Sequence, residues 1–334
     1  MNFGIIGYGT IGRTHAQVIE SLPDAKLAAI AARSPEKARA AEEHGCAFYT
    51  DYRDMLKRDD IDIVTICTPA ALHLPIALDV AAAGRHCIVE KPIEINVERS
   101  QRIIEAFDRR GLTLSVIFQH RFDPASQAIK DAIHRGALGK LNYGSAKTIW
   151  FRDEDYYRAT VWRGAWDGDG GGALMNQAIH SIDLLQYLMG PVEAVCGKYD
   201  TLYHREIETE DIGVALLRFK SGAIGVIEGM TLAWPGRYAE AGVFGQLGSA
   251  GIRNDALEHY CFKAGKDPRF ETLLEQGKED PSAHPSFVRQ YKDVMDAVKR
   301  GRPPMITGQE GLKSVQLIMG IYESSRKNGW VSID

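Results

Sequence analysis

The sequence predicts an α/β protein in two parts. A doubly wound half on a parallel sheet is followed by a second α/β half with an open, mainly antiparallel sheet. Three observations carry this. A short apolar run at residues 3–6 enters a glycine-rich turn and then a helical pattern at 13–22. Strand-like and helical runs alternate behind it as far as residue 118. Beyond that point long strand-like runs follow one another with little helix between them, the habit of an antiparallel sheet rather than of βαβ units.

The length of 334 residues suits two domains, with the expected boundary giving 1–120 and 121–334. Hydrophobic residues at 45% and charged residues at 25% can build packed cores. A net charge of -4 argues against nucleic acid or an acidic membrane as a partner. Cys46, Cys67, Cys87, Cys196 and Cys261 show no C-x-x-C spacing, and two of them sit in apolar runs. Free thiols in a reducing compartment are the expectation, and no metal site is read. The first strand starts at Met1, leaving no room for a signal peptide, and no apolar run nears the ~18 residues of a span. A cytoplasmic protein is expected.

In order, the first strand runs into Gly7-Tyr8-Gly9-Thr10-Ile11-Gly12, which is G-x-G-x-x-G between a strand and a helix. The first glycine allows a tight turn, the second admits a pyrophosphate, and the third lets the helix pack on the strand. Thr10 and Ile11 open that helix, whose N-terminus favours phosphate charge. An N-terminal Rossmann dinucleotide-binding domain follows. Residues 26–32 form its second strand, ending at Ala32-Arg33-Ser34 with Lys37 one turn on and no acid before Glu36. An acid there would bind a ribose 2′-hydroxyl, whereas Arg suits a 2′-phosphate. Arg33, Ser34 and Lys37 lean toward NADP(H). NAD(H) stays open, because Arg33 can also stack on adenine.

Residues 46–49 make a brief third strand and 55–58 a short helix. The apolar run 61–67 reads as a strand buried on both faces, and Thr68-Pro69 end it at the carboxyl edge, where such sheets bind ligands. His73, in the helical run 72–83, reads as capping or lining that loop, with cofactor contact as the alternative. Residues 85–89 deliver Glu90-Lys91-Pro92 to the same edge. Lys91 there could hydrogen-bond a substrate hydroxyl, with a plain Glu90–Lys91 surface pair as the alternative. A sixth strand at 112–118 closes the domain.

The second half opens with a helix at 124–135, then strands at 141–150, 192–203, 211–220, 223–234 and 238–248. Ser221-Gly222 marks a hairpin. Leu216, Val226, Ile227 and Val243 give the sheet an apolar outer face, so a homodimer or homotetramer is expected. Two amphipathic helices, 287–300 and 309–327, end the chain. Between the first two strands lies the stretch 170–187. After three glycines it reads as a helix with Asn176, His180, Asp183 and Tyr187 in one stripe and Met175, Ile179, Ile182 and Leu185 opposite. A stripe of Asn, His, Asp and Tyr, rather than Lys and Glu, reads as a pocket wall that the bare glycines let another group approach. The alternative is an amphipathic helix with one satisfied histidine.

Taken together, G-x-G-x-x-G at the start, Glu90-Lys91-Pro92, and a glycine-rich helix with His180 three residues before Asp183 resemble the Gfo/Idh/MocA oxidoreductases over the whole chain. The resemblance implies NAD(P)-dependent oxidation or reduction of a secondary alcohol in a sugar, cyclitol or nucleotide-sugar, with Lys91 and His180 at the reacting carbon. Asn176 stands where relatives such as inositol dehydrogenase carry Asp, so Lys91 takes more of the acid–base work or Asp183 orients the imidazole. The run 162–188 is similar to the subgroup that oxidises the 3-hydroxyl of a UDP-linked amino-sugar uronate. On this reading His180 exchanges the hydroxyl proton, Lys91 polarises the oxygen and Asn176 fixes the substrate. Arg121, Tyr156, Trp162, Arg163 and Asp183 are candidates for the rest of the substrate. An NAD-dependent glycosidase using transient oxidation and a non-catalytic NAD(P)-binding sensor stand as alternatives.

Overall fold

The computed structural model describes residues 1–333. The chain divides into two compact units, Met1–Gln119 with Asp280–Leu312, and His120–Glu279 with the residues from Lys313 onward.

In the first unit six strands pair in parallel: β1 (Asn2–Ile6), β2 (Lys26–Ala31), β3 (Ala47–Tyr49), β4 (Ile63–Ile66), β5 (His86–Val89) and β6 (Leu114–Val116). Their order is β3-β2-β1-β4-β5-β6. The order reverses between β1 and β4, where a doubly wound sheet opens a crevice at its carboxyl edge. Both central strands are buried on both faces, hence their unbroken apolar runs. Helix Pro285–Arg300 returns from far along the sequence and seats Tyr291, Val294 and Met295 against Phe3, Ile5, Ile19 and Ile30. The expected boundary near residue 120 placed this segment in the second domain; its apolar face belongs to the first unit's core.

The second unit holds eight strands, against the five expected. These are β7 (Leu141–Ile149), β8 (Val192–Asp200), β9 (Ile212–Phe219), β10 (Ile224–Met230), β11 (Ala239–Gly245), β12 (Gly248–Arg253), β13 (Ala256–Phe262) and β14 (Val331–Ser332). They lie in the order β13-β12-β11-β7-β10-β9-β8-β14, antiparallel throughout except for β7 with β10. Residues 238–248 are not one strand: the chain turns at Gly245–Gly248 and pairs back on itself. The helix Ile179–Met189 covers one face, burying Ile179, Ile182, Leu185 and Leu188 at about 1.5–3 kcal/mol each. Ile227 and Val243 point to this covered face and are fully buried, which corrects their placement outside. Period-2 alternation puts Val214, Leu216 and Ile224 on the other face, 42%, 50% and 57% exposed. Among the described residues, no helix is long and apolar enough to cross a membrane, and the five cysteines are unbridged.

Candidate active site

In the glycine loop of the first unit, Gly7 and Gly12 have the turn and packing roles predicted for them. Gly7 sits at φ +94, and a Cβ there would lie 2.6 Å from the Cys67 carbonyl oxygen, so only glycine fits. A Cβ at Gly12 would meet the Gly7 carbonyl oxygen at 2.3 Å, so Gly12 lets helix Thr10–Glu20 close onto the loop. A Cβ at Gly9 would meet nothing within 4 Å, so the loop is open there. Helix Thr10–Glu20 has no side-chain cap and no acid in its first turn, and Gly9 and Thr10 are exposed. Open N–H groups at a positive helix end fit a pyrophosphate. At the end of β4 the buried Thr68 hydroxyl has no partner among the described residues, a further polar group left for a ligand. These residues fit a dinucleotide. Past β2, Arg33 and Glu36 are exposed. That carboxylate is held below its usual pKa by its own backbone N–H and by Ser34.

Behind the loop, the end of β5 is built on a buried polar chain. Glu90 is 7% exposed. Its Oε1 lies 2.8 Å from His15 Nε2, and its Oε2 accepts the backbone N–H of Lys91 at 3.0 Å. His15 Nδ1 lies 2.7 Å from the Tyr291 hydroxyl, which reaches Thr65 Oγ1 at 2.9 Å. Burial pushes the Glu90 pKa up, but the hydrogen bond and charge of His15, with Lys91, hold it below the usual value. Glu90 thus fixes the main chain that carries Lys91 and is buried, which sets aside a plain surface pair. His73 lines the neighbouring loop from within. It is 1% exposed, its Nε2 lies 2.9 Å from the Thr68 carbonyl, and its Nδ1 lies 3.0 Å and 3.2 Å from those of Pro92 and Ile93. It therefore ties two loops of the sheet edge together, and burial keeps its pKa low. Lys91 is half-buried, and the Lys91–Pro92 peptide is cis.

In the second unit the stretch 170–187 is not one regular helix. Ala173–Ala178 forms a π-helical segment and Ile179–Met189 an α-helix. Buried Glu210 pins this start. Its Oε2 accepts from Gly172 N and its Oε1 from Leu174 N and the Tyr322 hydroxyl, each at 2.8 Å. A Cβ at Gly172 would sit 2.0 Å from the Glu210 carbonyl oxygen, and one at Gly171 2.2 Å from the Tyr322 hydroxyl. The groups that the glycines admit are thus Glu210 and Tyr322 of the same unit, not a ligand. Burial raises the Glu210 carboxyl from 4.5 to about 7. A carboxyl raised in the folded state loses stability for the fold as pH climbs through that window, here about 3 kcal/mol between pH 4.5 and 7. Glu210→Gln, which cannot ionise, should unfold at a lower temperature than wild type. The gap in Tm should narrow as pH rises from 4.5 to 7, read by calorimetry.

Asn176, His180 and Tyr187 are the less buried positions of this stretch, as the stripe predicts, but Asp183 is enclosed. Asp183 is 1% exposed and binds buried Arg121, with Oδ2 accepting from Nε at 2.8 Å and Oδ1 from Nη2 at 2.7 Å. Arg121 stacks on Tyr187, 5.1 Å from its centroid. Arg121 and Asp183 were read as substrate ligands; they are a buried ion pair whose groups hold each other. Asn176 and His180 are half-buried. The His180 ring stands perpendicular to that of His120, centroids 5.1 Å apart, at a cavity of about 120 Å³ lined also by Trp150, Gln177, Glu240 and Asp255.

Asn176 Nδ2 donates to Asp169 Oδ1 at 2.8 Å, and Asn176 Oδ1 accepts from Gln177 Nε2 at 2.6 Å. Gln177 Nε2 also donates to the Tyr156 hydroxyl at 2.8 Å, and its Oε1 accepts from Arg152 at 2.9 Å. Two guanidiniums lie over Tyr156, Arg163 at 4.1 Å and Arg152 at 5.2 Å, and they also stack on Trp162 and Trp150 at 5.0 Å each. Tyr156, Trp162, Arg163 and Asn176 are therefore brought together. Arg152, Asp169 and Gln177 complete the group and were missed. Asp169 lies seven residues before Asn176, and the left-handed turn at Gly170 between them hides it from helical spacing.

A glycine-rich loop at the carboxyl edge of a doubly wound parallel sheet, with a second unit built on a mainly antiparallel sheet, is the build of a nicotinamide-dependent oxidoreductase. The comparisons agree. Residues 1–118 match the model described as the oxidoreductase family with an NAD-binding Rossmann fold, and residues 126–251 match the GFO/IDH/MocA C-terminal domain. The chain belongs to the Gfo/Idh/MocA oxidoreductase family. It is similar to the WlbA dehydrogenase of Bordetella pertussis, solved with NADH and UDP-GlcNAcA (34% identity, TM-score 0.93, covering 100% of this chain and 98% of that one). It is also similar to levoglucosan dehydrogenase of Pseudarthrobacter phenanthrenivorans (30% identity; 100% and 98% covered). The myo-inositol 2-dehydrogenase of Thermotoga maritima is 28% identical, with 95% and 94% covered.

Proposed function

We propose that this chain is a dehydrogenase of a nucleotide-linked sugar carrying an acidic group, of the kind seen in UDP-GlcNAcA, with Lys91 and His180 as its catalytic residues. The observation that carries the choice of substrate is the guanidinium–aromatic group of Arg152, Arg163, Tyr156 and Trp162 beside Asn176. Inositols and levoglucosan are neutral and give two guanidiniums nothing to neutralise. A uronate carboxylate or a diphosphate does, and an Arg fork matches either. The likeness to the WlbA dehydrogenase with UDP-GlcNAcA supports the same choice.

Bound nicotinamide supplies the acceptor for the hydride of the carbinol carbon. The protein's own residues then have one proton to move. His180 accepts it from the hydroxyl, and the Lys91 ammonium stabilises the negative charge growing on that oxygen. Asn176, fixed by Asp169 and Gln177, positions the sugar. Gly7, Gly9, Thr10, Ile11, Gly12 and Thr68 hold the dinucleotide. The sequence leans toward NADP(H) through Arg33. We read NAD(H) as the working form, because the similar WlbA and levoglucosan dehydrogenases were solved with NADH. The exposed sheet face with Val214, Leu216 and Ile224 is where a second copy packs, giving a homo-oligomer working in the cytoplasm.

Steady-state assays with UDP-GlcNAcA and with myo-inositol test the reading. UDP-GlcNAcA should have the higher kcat/KM, and Arg163→Ala should cut it by about 10–100-fold, chiefly through KM. An equal loss on both substrates, or a preference for inositol, contradicts it.

A further inference from the structure

His120 lies outside the roles assigned so far. It belongs to the short helix Gln119–Phe122, and its ring meets that of His180 edge-on, centroids 5.1 Å apart at 89°. On its other side two carboxylates converge on one nitrogen. His120 Nδ1 is 2.8 Å from Asp123 Oδ2 and 3.2 Å from Asp255 Oδ1. Asp255 is held there by a turn between β12 and β13 in which it and Asn254 take φ of +71 and +47. Residues other than glycine adopt that backbone at a cost, and Asn and Asp adopt it most readily. We propose that His120, clamped by Asp123 and Asp255 against the His180 ring, is a positioning residue that keeps a positive charge beside His180 and so holds that imidazole in the neutral, proton-accepting form.

The charges around the pair support this. Asp123 and Asp255 bring two negative charges. Lys278 Nζ returns one positive charge to Asp255 Oδ2 at 2.8 Å. Glu240 of β11, at the same cavity, shares Arg253 with Glu258, at 2.9 Å and 2.5 Å. With His120 protonated, the group of Asp123, Asp255, Lys278 and His120 is neutral, and its nearest charge to His180 is positive. With His120 neutral, the remainder is net negative and stabilises a protonated His180, which cannot take a proton. Burial alone would lower the His120 pKa, but the hydrogen bond and charge of Asp123, with Asp255, raise it above the usual histidine value.

The inference rests on His180 being the proton acceptor, yet its test does not need turnover. The ring nitrogens of His120 and His180 are followed by NMR against pH in the full-length protein, alone. His120→Gln should raise the His180 midpoint by about one pH unit, since an adjacent charge is removed. Asp255→Asn, which suits the left-handed turn equally well, should move it the other way. In assays of kcat/KM for UDP-GlcNAcA the acidic limb should follow the same two shifts. A His180 midpoint that stays within about 0.3 units in both folded variants, or moves in the same direction in both, overturns the proposal. Midpoints that shift as stated while the acidic limb stays put would show instead that His180 is not the acceptor.

Discussion

Lys91→Ala and His180→Ala should each lower kcat by about 10²–10⁴-fold while the protein still binds NADH, followed by fluorescence titration. The physical ground is the charge left behind when a carbinol hydride departs. The oxygen must lose its proton at the same stage, and neither bulk water nor a distant group can take it within hydrogen-bond reach. Removing the imidazole deletes the acceptor, and removing the ammonium deletes the stabiliser of the oxyanion. Lys91→Arg should recover little, because a planar fork cannot replace a compact ammonium at one oxygen. Near-wild-type turnover in both alanine variants, with binding intact, would remove these residues from the chemistry.

Asp183→Ala should cost about 3–5 kcal/mol of stability, seen as a drop in Tm or in denaturant midpoint, and Arg121→Ala a similar amount. Each substitution removes the bidentate counterion of a charge that is almost wholly enclosed. A double substitution by apolar residues of similar volume should recover much of the loss, because the pair itself contributes little net energy once both charges are gone. Were Asp183 a substrate ligand, Asp183→Asn would instead raise KM and leave Tm unchanged.

That pair marks where reading by periodicity stops. Every strand of the first sheet was legible, because burial on both faces writes a continuous apolar run and glycine punctuates the phosphate loop. The place of Lys91 at the end of β5 was legible for the same reason. The second unit was harder. Strands β12 and β13 alternate small, polar and apolar residues weakly, and β14 is two residues long, so no pattern betrays them. The stripe of Asn176, His180, Asp183 and Tyr187 assumed about 100° per residue throughout. The π-helical start departs from that locally, yet Asn176, His180 and Tyr187 remain the less buried positions; Asp183 is enclosed because Arg121 pairs with it, a partner that spacing does not show. Glu210 and Asp169 were invisible, since what makes them matter is a partner brought by the fold rather than by spacing. Helix Pro285–Arg300 has the periodicity expected of it, but nothing in that periodicity says which unit its apolar face will join.

The most direct measurement is the fate of one hydrogen. UDP-GlcNAcA, myo-inositol and levoglucosan, each deuterated at its carbinol carbons, are incubated with NAD⁺ and the protein in ordinary water, and the nicotinamide is recovered for mass spectrometry. Deuterium carried onto the nicotinamide ring from UDP-GlcNAcA, and little or none from the two neutral polyols, is the predicted result. A nicotinamide free of deuterium after incubation with all three would contradict it.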